Sequence, residues 1–302
     1  MARLIRPEGL VEYDSANTEM HALAERRLAG EAEDTLILLE HPPVFTAGRR
    51  WKRDHIVWTE ERIAAAGAEL RFIDRGGSLT FHGPGQLVGY PVVDLGPRPD
   101  AMRFVRDLEE VVIRASADVG VELHRSDVQT GVWAGPSKVC AIGVRLMRMR
   151  ISLHGFALNC TTDLSWYDAI VPCGLAGEGV ASLSQLAERE ITVEEMAPLV
   201  ARRFEEVFER RLEVGQRVWP VPALAIPAAA AGSGVTAGDI HHAAMRGFEA
   251  GVEHYQRGRP NYPDDAVTYL VQELGIGEGR DVLELGAGTG KFTELIVHTS
   301  AR

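Results

Sequence analysis

Cysteine is scarce in this chain. Only Cys140, Cys160 and Cys173 occur among 302 residues, and none forms a CxxC pair. This excludes a disulfide framework and a thiolate zinc site, and it predicts a reducing, cytoplasmic compartment. Long apolar runs are also missing. The first twenty residues lack the basic start and apolar stretch of about 7 to 15 residues that make a secretory signal. The longest uncharged segment, residues 221–238 (VPALAIPAAAAGSGVTAG), is broken by proline and glycine, so it reads as a linker and not as a membrane helix. Positive charge is in deficit: 32 Lys and Arg stand against 43 Asp and Glu, a net charge of −11. No basic face for nucleic acid is predicted. The ten histidines show no HExxH or other metal-ligand spacing, so no metal centre is predicted.

With 45% apolar and 25% charged residues, the chain has the make-up of an ordinary globular protein, and its length allows about two domains. Helical spacing of apolar residues predicts helices over residues 11–30, 60–67, 101–120 and from Thr192 to Phe208, the last opened by a Thr192/Glu195 capping box. Strands are expected at residues 35–40 and 69–75, at the end of the segment 75–95, and as four short runs between residues 121 and 160, the last two joined by a hairpin near Arg148–Arg150. Residues 41–49 (HPPVFTAGR) read as a loop. Mixed in this order, the elements indicate an α+β (α/β) domain over residues 1–220, a linker at 221–238 and a separate piece at 239–302.

The least ordinary stretch is RGGSLTFHGPGQLVGYPVVDL, residues 75–95, where five glycines surround His82. Glycine without a Cβ lets backbone approach a ligand closely. Cys173 lies in IVPCGL at a turn, where a thiol whose pKa is lowered becomes an acyl acceptor; a buried structural cysteine is the plainer reading of a lone thiol. Lys138 opens the apolar run VCAIGV, where an inward lysine is desolvated enough to act as acid or base, although most lysines are solvated surface charges. His82 and His154 are each a ligand, an acid or a hydrogen-bonded loop residue. Arg75 is open to a phosphate, a carbonyl, or a pairing with Asp74 or Asp94.

Four stretches in order, EHPPVFTAGR (40–49), RGGSLTFHGPGQLVGYPVVDL (75–95), TGVWAGPSKVCAIGVR (130–145) and HGFALNCTTDLSWYDAIVPCGL (154–175), closely resemble the lipoyl(octanoyl) transferases. The resemblance spans about 220 residues. It implies a mixed sheet flanked by helices, similar to the catalytic domain of biotin and lipoate ligases. It also implies ping-pong transfer of an octanoyl group from acyl carrier protein to a lysine of lipoyl domains, those of the 2-oxoacid dehydrogenases and the glycine cleavage H protein. By that pattern Cys173 carries the acyl thioester and Lys138 lowers its pKa and shuttles the proton. Arg75, Gly76, Gly77, Ser78, Leu79, Thr80, Phe81, His82, Ala141, Ile142, Gly143, Gly155, Phe156 and Ala157 would line the acyl pocket. No metal, ATP or organic cofactor is called for, because the thioester is already activated. Cys140 and Cys160 replace small aliphatic residues and are expected to be buried bystanders. Arg145, Arg148 and Arg150 are candidates for a basic patch facing an acidic carrier protein, or simply solvated hairpin charges.

Residues 239–302 resemble the opening of a class I S-adenosylmethionine-dependent methyltransferase, with Gly286, Gly288 and Gly290 after a strand in VLELGAGTG. One strand–helix unit without the acidic residue expected about 20 positions later predicts an incomplete, non-functional fragment. Three alternatives to the acyltransferase remain: an ATP-dependent lipoate or biotin protein ligase on the same fold, a non-catalytic module binding carrier or lipoyl domains, and a methyltransferase. Cys173 in PCGL argues against the first, and the missing half-domain against the last.

Overall fold

The computed structural model describes residues 1–126, 129–170 and 179–214. The chain divides into two units, Met1–Ala225 and Ile226–Arg302, and all described residues belong to the first. The expected linker and methyltransferase-like piece therefore lie outside the described residues, as does Cys173.

In chain order the elements are β1 (Ala2–Ile5), α1 (Tyr13–Leu28), β2 (Asp34–Leu39), β3 (Val44–Ala47), α2 (Glu60–Ala65), β4 (Glu69–Phe72), β5 (Leu79–His82), β6 (Gln86–Val92) and α3 (Ala101–Ala117). There follow β7 (His124–Arg125), β8 (Val132–Ala134), β9 (Ser137–Met147), β10 (Ile151–Asn159), β11 (Gly179–Val180), α4 (Leu183–Ala187), α5 (Val193–Phe208) and β12 (Leu212–Val214). Single 3-10 turns occupy Arg53–His55 and Leu164–Ala169. The larger sheet runs β12-β1-β2-β6-β10-β9-β8-β7, with β11 also paired to β9. It is mixed: β1 is parallel to β2 and β12, β11 is parallel to β9, and the central pairings are antiparallel. A second sheet, β4-β3-β5, has three strands.

Alternation along β2 sends Leu36 and Leu38 into one apolar cluster and Ile37 and Leu39 into another, as the period of two in a strand requires. The first cluster is closed by α3 and α5. On α3, Phe104, Leu108, Val111, Val112 and Ala115 fall on one helical stripe and pack on Val139, Phe156 and Leu158 of the sheet. Asp100 caps α3 by accepting from the Arg103 N–H at 2.8 Å. The second cluster is closed by α1 through Ala16, Met20, Leu23 and Ala24.

Two local expectations need correction. Residues 41–49 are not all loop, since Val44–Ala47 forms β3. Its partner β5 lies more than thirty residues away, with Phe45 registered on Phe81 and their ring centroids 5.2 Å apart; local turn residues cannot report that pairing. The Thr192/Glu195 box is half made. Thr192 Oγ1 accepts from the Glu195 N–H at 3.2 Å, but the Glu195 carboxylate turns to Arg189 at 2.8 Å. The complete box sits at Ser182 and Gln185 on α4. In the hairpin between β9 and β10, Arg148 and Met149 both take left-handed φ, +47° and +52°.

Candidate active site

A cleft of about 410 Å³ opens between β5, β6, β9, β10 and the loop that precedes β5. Of the residues expected to line an acyl pocket, Arg75, Gly77, Ser78, Leu79, Thr80, His82, Ala141, Ile142, Gly143, Gly155, Phe156 and Ala157 face it, and so does Lys138. Gly76 and Phe81 do not line it. Gly76 donates its N–H to the Val144 carbonyl at 3.2 Å, which stitches the glycine loop to β9. Phe81 packs between Phe45 and Trp166 in an aromatic cluster, stacked on Trp166 at 5.1 Å.

Glycine matters most where two strands meet below the cleft. A Cβ on Gly155 would stand 2.1 Å from the Gly89 carbonyl oxygen, and one on Gly89 would stand 2.1 Å from the Phe156 ring. Only hydrogen fits at either position, and the Phe156 ring fills the space this leaves.

Arg75 is buried, 7% exposed. It pairs with neither Asp74 nor Asp94. Its NH2 donates to Thr46 O at 2.7 Å and Thr46 Oγ1 at 3.0 Å, and its NH1 donates to Gly76 O at 2.9 Å. The guanidinium thus fixes the glycine loop against β3, and its charge bears on the surrounding aromatic and imidazole groups. Asp74 is held instead by His154 and Arg145, and Asp94 by Arg150 and Arg27.

A chain of buried polar groups continues from Thr46. Gln86 spends its Nε2 hydrogens on Phe81 O (3.1 Å) and Asn159 Oδ1 (2.8 Å), so its Oε1 accepts from His82 Nδ1–H at 2.9 Å. His82 Nε2 then accepts from Thr46 Oγ1 at 3.3 Å. Asn159 Nδ2 donates onward to Ala181 O at 3.1 Å. Beside this chain His41 Nδ1 donates to Val11 O at 2.6 Å, because a carbonyl only accepts; its Nε2 accepts from Tyr90 OH at 2.7 Å. Burial lowers the pKa of both imidazoles, His41 to about 4 and His82 well below its ordinary value, with the neighbouring His41 and Arg75 charges adding to the effect on His82. Burial likewise raises Tyr167 to about 12 and Tyr90 well above the phenol range. These four groups are therefore neutral near pH 7, beside the Arg75 guanidinium.

Lys138, the second residue of β9, is 8% exposed. Its Nζ stands 4.6 Å above the Trp133 ring and 3.4 Å from Gln129 Oε1, a cation–π seat that keeps the ammonium pointing along the cleft wall. Val180 of β11 registers on Lys138 and lines the same cleft. Cys140 and Cys160 are fully buried, and loss of solvation pushes both thiols far above their ordinary value. They pack in the apolar cluster under α3 and α5, as expected of bystanders.

Several lining residues were not anticipated: Tyr13, Arg50, His55, Ile73, Tyr90, Gln129, Thr130, Asn159, Tyr167 and Val180; His154, a candidate on sequence, lines the cleft as well. Asn159 and Tyr167 carried a signal, being polar groups inside a recognisable motif, the first at the end of a strand buried throughout. Tyr90, inside the 75–95 motif, carried the same signal, whereas Tyr13 carried none, since a half-apolar ring on a helix reads as ordinary core. His154 is exceptional in its backbone: φ is +59° in the middle of β10, a conformation that costs a non-glycine residue about 1–3 kcal/mol. Burial depresses its pKa to about 3, with Arg75, His21 and Arg145 adding to the effect.

The fold and the cleft define a catalytic domain of the lipoyl protein ligase type, and the model of the lipoyl protein ligase A/B catalytic domain matches residues 14–205. Within that class the chain belongs to the octanoyltransferases. It is 49% identical over 203 residues to the octanoyltransferase of Rubrobacter xylanophilus, covering 67% of this chain and 91% of that one. It is 46% identical over 226 residues to the Mycobacterium tuberculosis octanoyltransferase, covering 74% and 93%. Among solved structures, lipoate-protein ligase A bound with ATP superposes with a TM-score of 0.55 at 18% identity over 72% of this chain and 88% of that one. The bipartite lipoate protein ligase of Thermoplasma acidophilum gives 0.56 at 17% over 72% and 86%. At such identities these two establish the shared fold.

Proposed function

We propose that the chain transfers an octanoyl group from octanoyl-acyl carrier protein to the lysine of lipoyl domains through a thioester on Cys173. The observation that carries this reading is the cleft itself. Its walls combine glycine backbone with Leu79, Ile142, Phe156 and Ala157 for an acyl chain, and they place a single ammonium, Lys138, at the strand that Val180 joins. Segment 171–178, which contains Cys173, connects Ile170 to Gly179 and so to the neighbour of Lys138. Of three thiols in the chain, the two described ones are sealed in the core and held protonated, which leaves Cys173 as the available nucleophile.

The chemistry follows in two halves. The Cys173 thiol gives its proton to the carrier's departing thiolate by way of Lys138, while its sulfur attacks the octanoyl carbonyl; the carrier's C–S bond breaks and an acyl-enzyme thioester forms. The neutral ε-amine of the lipoyl-domain lysine then attacks that carbonyl, the C–S bond to Cys173 breaks, an amide forms, and the amine's proton returns to the cysteine. An ammonium within about 4–6 Å lowers a thiol pKa by about 1–3 units. A carrier protein rich in acidic groups would meet Arg148, exposed at the hairpin, whereas Arg145 and Arg150 are paired with Asp74 and Asp94. The ligase alternative is less well supported, because relatives at 43–49% identity bear the octanoyltransferase name while the ligases share only the fold.

Incubation with octanoyl-acyl carrier protein followed by intact-mass spectrometry tests the proposal. One octanoyl adduct on the wild type, absent from Cys173→Ser, is expected; no adduct, or an equal adduct on the variant, refutes the mechanism.

A further inference from the structure

One cluster of ligating side chains is not used by the acyl-transfer steps proposed above. His21 on α1, Asp74 after β4 and His154 in β10 bring one ligand atom each to within 4.8 Å of one another. His154 Nε2 is 2.8 Å from Asp74 Oδ1, and Arg145 grips the other carboxylate oxygen, so Oδ1 stays turned toward the imidazole. The two imidazoles meet edge-on with centroids 6.3 Å apart. Two imidazoles and one carboxylate are the donor set of a three-ligand zinc site that leaves a fourth position open, and a nitrogen-rich set disfavours magnesium and calcium. An entry path exists as well. A separate hollow of about 540 Å³ is lined by His21, Asp74, Asn17, Trp51 and Phe72, with Ile73 shared between it and the acyl cleft.

We propose that His21, Asp74 and His154 bind a divalent transition-metal ion of the zinc class, with water from the hollow as fourth ligand, and that the ion slows acyl transfer by immobilising His154 in the cleft wall. Metal–ligand bonds of about 2.0–2.2 Å in a tetrahedron set ligand atoms roughly 3.3 Å apart, so small side-chain rotations close the site. The ion takes the place of the proton on His154 Nε2, which moves to Nδ1 of the same ring, and Asp74 Oδ1 exchanges an N–H donor for the ion. The Arg145 charge on Asp74 opposes the ion and makes binding reversible, suited to sensing free metal and not to a permanent structural role.

The test uses the full chain carrying Cys173→Ser, which removes the competing thiol. It is titrated with zinc chloride alone by calorimetry and with cobalt chloride read by visible absorption. One ion per chain and a tetrahedral cobalt spectrum are expected, and adding His21→Ala should weaken affinity about tenfold or more. His21→Gln serves the same purpose if the alanine variant fails to fold. In the otherwise wild-type enzyme, His21→Ala should keep basal transfer and raise the zinc concentration needed for half-inhibition at least tenfold. No bound ion, an octahedral cobalt spectrum or unchanged affinity in the His21 variants overturns the site; undiminished zinc inhibition overturns its link to the cleft. The binding arm needs no acyl substrate, so its outcome is separate from that of the octanoyl reading.

Discussion

Under α3 and α5, the sheet buries Leu36, Leu87, Val139 and Leu158 against Phe104, Leu108, Met196 and Phe204. Around the cleft the two sheets and their loops bury His41, Thr46, Arg75, His82, Gln86, His154 and Asn159. Solvent is excluded from both regions, yet they are held together by different physics. The first is stabilised by area removed from water, which is non-directional and tolerates exchange among residues of similar volume. The second is held by donors matched to acceptors one by one, and there a changed tautomer or lost partner leaves a neighbour unsatisfied. The apolar region thus serves mainly as support, and the polar region fixes the shape and charge of the cleft.

Substitutions should separate the two. The largest effect is expected at the cleft: Lys138→Ala should slow acyl-enzyme formation about 10²–10⁴-fold while the unfolding midpoint moves little. Thiol alkylation against pH provides the check, since an unchanged Cys173 pKa in the variant would remove the proposed role. The reverse behaviour is expected at Leu108, fully buried on the inner face of α3. Leu108→Ala should cost about 2–5 kcal/mol in denaturant unfolding and leave kcat near the wild-type value below the melting range; a comparable fall in kcat without loss of stability would erase the contrast.

A third expectation concerns pH. His41 titrates near 4 in the folded protein because it is buried, against about 6.5 in the unfolded chain. Above pH 6.5 neither state carries the proton and stability is at its full value. Between pH 6.5 and 4 the unfolded chain takes up a proton that the folded one refuses, so stability falls by up to about 1.4 kcal/mol per pH unit for this group. His82 and His154 are depressed in the same direction and steepen the fall. Thermal unfolding from pH 7.5 to 5 should show it, and His41→Gln should flatten the slope by about one proton; an identical slope would mean that His41 is not buried neutral. The smallest effect is expected from removing residues 239–302, which should leave octanoyl transfer unchanged. A large loss would show that the methyltransferase-like piece serves the catalytic domain.

Much of the support region was legible from residue pattern. The stripe on α3 and the strand at β2 each follow from local spacing and composition. The cleft was legible only in part, because glycines and motif residues mark backbone that approaches a ligand. Lys138 and Arg75 were visible in this way. Tyr13 and His55 were not, because they reach the cleft from elements whose local pattern is that of ordinary core or surface.

The amino-acid sequence by itself determined the family, the order of the main helices and strands, and which positions are apolar, since those depend on spacing along one strand or helix and on motifs read in order. Tertiary structure alone decided that residues 44–47 form a strand, that Arg75 braces a loop and pairs with neither Asp74 nor Asp94, and that His21, Asp74 and His154 meet. Each depends on contacts between residues far apart in the chain, which no local pattern encodes.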